Sequence, residues 1–308
     1  MAGETCCVCN KSIAGAARMF GGRSFCDDHY ARLGQNRRGM WLAMLVLIIG
    51  LAAFVAAVFF GAPALRTNLQ GPWLTIAGLL LALVPAAAWL GVFYLQDRAE
   101  PEPKQFVIGV FILGVLLAAA VGQPLIQDVF GVNKWAGGSL FLQLLAGICI
   151  VGVTQEFLKY AAVRYSIFRS VEFDERIDGI IYGAAAGLGY ATLLNVQYVL
   201  QNGGVDLGIG AVRIAVIALA HASFAGVTGY FLGRAKFENR GPFWLPAGLL
   251  LAAILNGVVS TLLSEITRSG LRPTPLNGLI FASVVAAATF LTLFIIMRRS
   301  ARPGAASA

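Results

Sequence analysis

Long apolar stretches alternate with short polar and basic segments over most of the chain. Eight stretches approach the roughly 20 apolar residues that a helix needs to cross a bilayer about 30 Å thick. They cover residues 40–62, 73–95, 106–130, 140–165, 179–201, 209–233, 243–265 and 276–297. The pattern predicts an all-α polytopic membrane protein of about eight transmembrane helices. In the third stretch, Gln123-Pro124 predicts a kink or an early end.

Composition and charge agree with a membrane protein. Hydrophobic residues make up 58% of the chain and charged residues 12%, and the mean hydropathy is +0.77. The net charge is +8, with thirteen basic residues at one set of helix ends and five at the other. The positive-inside rule therefore predicts a multi-pass protein of the cell membrane with both termini in the cytoplasm. Because this charge follows topology, we expect the lipid bilayer as a partner and no nucleic acid.

Cysteines cluster ahead of the first apolar stretch. Cys6, Cys9, Cys26 and His29 form the spacing C-x2-C-x16-C-x2-H. Three thiolates and one imidazole suit tetrahedral structural zinc, and the segment resembles half of a LIM-type or treble-clef zinc finger. The alternative is a set of unliganded cytoplasmic thiols. We expect a zinc module at 1–35, a transmembrane domain at 36–300 and a cytoplasmic tail at 301–308.

Ionisable side chains interrupt the fourth apolar stretch. Glu156 and Lys159 lie three residues apart, on one face of the predicted helix. An ionisable group at mid-span costs at least about 2.5 kcal/mol, so such groups are typical of functional sites. The helical rise places Glu156 roughly 12 Å deep, with His221 and Asn256 roughly 20 Å deep on later helices. We expect these side chains to share a cavity open to the cytoplasm.

Packing offers an alternative for each of these residues. Glu156 and Lys159 could form an internal ion pair that fixes helix packing. His221 and Asn256 could form interhelical hydrogen bonds, which are common in membrane proteins. Taken one residue at a time, the sequence does not decide between a functional site and helix packing.

Four segments carry a resemblance to a known family. They are DRAEPEP at 97–103, QEFLK at 155–159, FDERIDGIIYG at 173–183 and HASF at 221–224. Over roughly residues 90–265, the chain resembles the PrsW family of intramembrane proteases. The resemblance implies an intramembrane protease that acts on membrane-anchored proteins, with Glu156, His221, Lys159 and Asn195 at family site positions.

Several family positions carry other residues here. Gln155 stands where the family usually has a first glutamate, Leu194 replaces an acid, and Asn256 aligns with a second histidine. A catalytic metal normally takes three protein ligands, and Glu156 and His221 supply two good ones. The resemblance leaves a catalytic metal open. A metal-free scheme uses Glu156 as base, His221 to orient the water and Asn256 as oxyanion donor.

Because of these replacements, the sequence is compatible with two functions. The first is active proteolysis at the membrane site. The alternative is a catalytically impaired relative that binds transmembrane segments or partners without cleaving them. A transporter is less favoured, because the sequence shows no inverted repeat or paired broken helices.

Overall fold

The computed structural model describes residues 5–6, 11–13, 15–20, 23–30, 37–68, 71–95, 102–201, 207–268 and 275–300. Helices dominate these ranges. They are α1 Arg37–Asn68, α2 Pro72–Tyr94, α3 Lys104–Leu117, α4 Val132–Trp135, α5 Leu140–Ala146, α6 Val153–Ser166, α7 Asp178–Gln201, α8 Leu207–Phe237, α9 Trp244–Arg268 and α10 Pro275–Ser300. A short 3₁₀ segment, Ala136–Gly138, follows α4.

The helical pattern confirms the predicted fold class. Within the described ranges, seven helical segments are long and apolar enough to cross a membrane, and a shorter apolar segment, Leu45–Gly61, lies in α1. Together they match the eight apolar stretches of the sequence. The chain is therefore an all-α, multi-pass membrane protein.

Two of the membrane helices contain π-helical turns. The helix that begins with α3 passes through Ala118–Gly122 and Leu125–Val129 in this conformation, so Pro124 neither ends nor interrupts it. The second case is Gly147–Gly152, which joins α5 to α6. Widened turns of this kind accommodate a missing backbone hydrogen bond and occur often at functional sites.

Helix α7 lies at the centre of the bundle. Of its most apolar window, 83% is buried inside the protein, against 28% for α10. It approaches α8 so closely that a Cβ on Gly187 would overlap the carbonyl group of His221. On the other side of the bundle, a Cβ on Gly257 of α9 would overlap the carbonyl of Gly147. Small residues thus allow close approach of α7 to α8 and of α9 to the α5–α6 helix. This close packing brings polar side chains of different helices near one another.

The described part of the N-terminal segment contains a two-stranded antiparallel sheet. Strands β1 Arg18–Phe20 and β2 Arg23–Phe25 pair with Arg18 opposite Phe25. Phe25 and Cys6 are buried there, while most of the neighbouring side chains are at least partly exposed. The described part of this segment therefore has little apolar burial to stabilise it.

Candidate functional site

A chain of three polar side chains links α6 to α8 inside the membrane domain. Nζ of Lys159 lies 2.6 Å from Oε1 of Glu156 and 2.8 Å from Nδ1 of His221. Glu156 is 0% exposed and Lys159 1%. The ion pair that the sequence offered as a packing alternative is present, and Lys159 also bridges Glu156 to His221, which the sequence did not predict.

Helix α9 supplies the fourth member of this cluster. Nδ2 of Asn256 donates to Oε1 of Glu156 at 2.7 Å and to Oε1 of Gln155 at 3.0 Å. Ser260, one turn later, donates to Oδ1 of Asn256 at 3.1 Å. The membrane cluster is defined here as Gln155, Glu156, Lys159, His221 and Asn256, and its members come from three helices.

The two oxygens of Glu156 differ in their surroundings. Oε1 accepts from both Lys159 and Asn256. Oε2 is buried and receives no hydrogen bond from any residue in the described ranges. A buried carboxylate oxygen is expensive to leave unpaired, so Oε2 is the natural acceptor for a water or substrate proton.

Asn195 lies outside the membrane cluster. Its Nδ2 donates to the backbone carbonyl of Ile214 at 3.2 Å, which ties α7 to α8. Its Oδ1 is buried and without a partner among the described residues. The structure thus brings five of the six predicted site residues together and places Asn195 in an interhelical contact.

Tyr190, which the sequence did not predict as a site residue, contacts the membrane cluster. Its ring lies 6.0 Å from the His221 ring, with 19° between the two planes. Nζ of Lys159 lies 5.3 Å from the centre of the same ring. A tyrosine in an apolar helix is typical of packing, so the sequence carried no signal beyond its neighbourhood in the GLGY segment at 187–190.

The N-terminal segment holds a second cluster of potential ligands. Single donor atoms of Cys6, Cys26 and His29 all lie within 4.8 Å of one another, with Nδ1 of His29 3.1 Å from Sγ of Cys26. This is the only such group of three or more His, Cys, Asp and Glu side chains within the described ranges. Cys9, the fourth predicted ligand, lies outside those ranges, as does most of the DRAEPEP segment.

Fold and site together define a polytopic membrane protein with a polar site buried among its helices. A model of the PrsW family of intramembrane metalloproteases matches residues 102–295. The chain therefore belongs to this family, which confirms the predicted family and an intramembrane protease function.

Individual relatives agree with this membership. The chain is 35% identical to Protease PrsW of Geobacillus kaustophilus over 189 residues, which cover 61% of this chain and 80% of the relative. It is 32% identical to Protease PrsW of Bacillus subtilis over 187 residues, covering 60% and 82%. No solved structure matches the chain.

The family name implies a metal, so the donor set of the membrane cluster matters. The whole chain has two histidines, and one of them, His29, lies in the N-terminal segment. His221 and Glu156 remain as good ligands, one fewer than a catalytic metal site normally has. In addition, the amine of Lys159 lies within hydrogen-bond distance of both. These residues do not fit a catalytic metal.

Proposed function

We propose that the membrane cluster hydrolyses peptide bonds of membrane-anchored proteins without a metal, with Glu156 as the general base. The observation that carries this proposal is the contrast between the two oxygens of Glu156. Oε1 is held by Lys159 and Asn256, which fixes the carboxylate, while the buried Oε2 keeps its lone pairs for a water molecule. Positioned acids and bases of this kind contribute roughly 10²–10⁴-fold to a rate.

A single carboxylate, that of Glu156, can carry out both proton transfers of the proposed hydrolysis. Oε2 of Glu156 takes a proton from water as the water oxygen bonds to the scissile carbonyl carbon and the π electrons move onto the carbonyl oxygen. Glu156 then returns that proton to the amide nitrogen as the carbonyl re-forms and the C–N bond breaks. The products are a carboxylic acid and an amine, and Glu156 is again a carboxylate.

Lys159 and His221 support this base. An ammonium group has only donors, so in the ion pair Lys159 donates to Nδ1 of His221 as well as to Glu156. The proton of a neutral imidazole then lies on Nε2, which leaves His221 as a donor that can orient the water. Lys159 is thus a positioning residue in this scheme, and it keeps Oε1 charged and occupied.

The substrate class follows from the depth of the cluster. By the helical rise, Glu156 lies about 12 Å from Arg164, near the basic end of its helix. We propose cleavage in the cytoplasmic half of single-span or otherwise membrane-anchored proteins, in a cell membrane protein with both termini in the cytoplasm. The excess of basic residues at those helix ends supports this orientation.

Reconstituted protein and a single-span substrate test the catalytic proposal. Glu156→Gln preserves shape and removes the base, so we expect cleavage to fall by roughly 10²–10⁴-fold. Asp128→Asn changes an exposed carboxylate in the segment Lys104–Gly138 and serves as the matched control. Full cleavage by Glu156→Gln would refute the proposal. Substrate binding without cleavage by the wild type would favour the catalytically impaired alternative.

We further propose that the N-terminal cluster binds one structural zinc ion through Cys6, Cys26, His29 and Cys9. The three described donors lie close enough to share one ion, and bound metal would stabilise the fold of so small a segment. All four positions would then be protein ligands, which suits a structural rather than a catalytic site.

Metal analysis of the purified protein tests both metal proposals at once. We expect one zinc per chain in the wild type, none in Cys26→Ser and one in the Cys149→Ser control, because Cys149 lies exposed on the membrane domain. Zinc retained by Cys26→Ser would refute the N-terminal site. A second metal ion per chain would refute the metal-free membrane cluster.

A further inference from the structure

Tyr190 packs its ring against His221 and Lys159 of the membrane cluster and buries its hydroxyl group beside Gly122. The residue is 0% exposed, and its Oη has no hydrogen-bond partner among the described residues. Its side chain packs with Ala118 and Leu158, and its ring stacks on that of His221. Leaving a buried hydroxyl unpaired costs free energy. An unpaired hydroxyl near an acid–base cluster is therefore a candidate donor to a bound substrate.

The helix opposite Tyr190 makes room for this hydroxyl. A Cβ on Gly122 would overlap Oη of Tyr190 and come within 3.2 Å of Leu158. Gly122 ends the π-helical turn Ala118–Gly122. The glycine and the π-helical turn therefore both lie next to Oη of Tyr190. A larger residue at position 122 would displace this oxygen.

Asn256, the oxyanion donor expected from the sequence, already has its amide hydrogens engaged. Both hydrogens of Asn256 Nδ2 are used, one by Gln155 and one by Glu156. Lys159 donates to Glu156 and His221. The scheme predicted from the sequence uses Asn256 as the donor to the oxyanion. These contacts leave the Asn256 amide without a free hydrogen for that role.

We infer that the hydroxyl group of Tyr190 donates the hydrogen bond that stabilises the carbonyl oxygen of the scissile peptide bond. This inference rests on the proposed function. As water adds, negative charge develops on that oxygen, and a donor fixed in a dry site stabilises it without reorganisation. The phenol proton stays on Tyr190 throughout, so the proton transfers of Glu156 are unchanged.

Tyr190→Phe separates this role from packing, because it removes the hydroxyl and keeps the ring. We expect kcat to fall by roughly 10²–10³-fold with KM unchanged, the usual effect of losing one oxyanion donor. Thermal stability should stay equal or rise, since an unpaired buried hydroxyl is lost. Activity and stability therefore move apart, which loss of packing alone would not produce.

Tyr182→Phe is the matched control on the same helix. Its hydroxyl donates to Oε2 of Glu102 at 2.5 Å, so the variant should lose stability while each folded molecule keeps its turnover. Gly122→Ala provides a second route, because the added methyl group displaces Oη of Tyr190, and we expect a similar loss of kcat. Gly109→Ala, in the same helix but with open space around it, should leave kcat unchanged.

Two results would overturn the inference. The first is wild-type kcat in Tyr190→Phe when Glu156→Gln is inactive. The second is a parallel fall of kcat and stability in Tyr190→Phe, which would make the residue a packing element. Unchanged cleavage in Glu156→Gln would instead refute the proposed function, so the two failures are distinguishable.

Discussion

Two carboxylates of the membrane domain, Glu156 and Glu238, lie in opposite situations. Glu238 follows α8 outside the membrane segment, and both of its oxygens are paired with arginines: Oε1 with Arg234 and Arg176, and Oε2 with Arg234 and Arg240. Glu156 has one fully used oxygen and one without a hydrogen bond from the described residues. A carboxylate whose oxygens are all occupied holds structure together, whereas one that keeps an oxygen available can also act on a substrate.

The two tyrosines of α7 repeat this contrast. Tyr182, near the start of the helix, donates its hydroxyl hydrogen to Glu102. Tyr190, two turns later, stacks its ring on His221 and has no hydrogen-bond partner for its hydroxyl among the described residues. Both side chains are fully buried. Equal burial therefore hides a difference in hydrogen bonding between the two tyrosines, and at Tyr190 the unpaired hydroxyl coincides with a ring contact to the membrane cluster.

The largest expected effect on stability comes from breaking the buried ion pair. Lys159→Met leaves the Glu156 carboxylate buried without its cation, which should lower the free energy of unfolding by about 3–5 kcal/mol. Arg240→Gln removes one of several cations from Glu238 at the surface and should cost about 1 kcal/mol or less. Equilibrium unfolding in mixed micelles would measure both.

The double variant Glu156→Leu with Lys159→Met sharpens this prediction. Replacing both members of a buried pair by apolar residues is often neutral, so it should recover most of the lost stability while remaining inactive. A loss for Lys159→Met as small as that for Arg240→Gln would show that the pair is well solvated, contrary to the comparison with Glu238.

A smaller effect is expected from two glycines at close backbone contacts of α8. A Cβ on Gly187 would overlap the His221 carbonyl, and one on Gly233 would overlap the carbonyl of Arg176. Gly187→Ala and Gly233→Ala should each cost about 1–3 kcal/mol of stability, because each overpacks a close backbone contact of α8. We expect only Gly187→Ala to reduce cleavage per folded molecule, since it displaces His221. Equal cleavage by the two variants would refute this link between packing and the site.

The sequence predicted those features that depend on one helix at a time. Bilayer thickness sets the length of an apolar stretch, so the eight stretches and the helical class follow from composition and pattern. The helical rise fixes depth, so Glu156, His221 and Asn256 could be placed at levels from which they can meet. The structure joins these residues through hydrogen bonds, while their catalytic roles stay proposals.

Features that depend on how helices pack were beyond the sequence. Lys159 could be paired with Glu156 by spacing, but its contact with His221 depends on the distance between α6 and α8. Tyr190 looks like ordinary packing until Gly122 is placed opposite its hydroxyl. Asn195 was predicted as a site residue from the family resemblance. In the structure its amide instead donates to the backbone carbonyl of Ile214 on α8.

The smallest expected effect is a pH dependence of stability at the two carboxylates outside the membrane segments. Burial acts to raise the pKa of Glu238, but hydrogen bonds from Arg234 and Arg240 outweigh it and hold the pKa below its ordinary value. Burial raises the pKa of Glu102 despite hydrogen bonds from Asp178 and Tyr182. The two groups should therefore affect stability with opposite slopes.

The sign of each slope follows from proton linkage, with an unfolded carboxyl pKa of about 4.3. Glu238 stabilises the fold above that pH and loses this contribution as the pH falls through its lower folded pKa. Glu102 contributes stability below about pH 4.3 and loses it as the pH rises through its higher folded pKa. Wild type should therefore exceed Glu238→Gln most at neutral pH, by about 1 kcal/mol or less. Glu102→Gln should match wild type in acid and exceed it at neutral pH. Unfolding curves from pH 3.5 to pH 7.5 or so would test this, and parallel slopes in the two variants would contradict it.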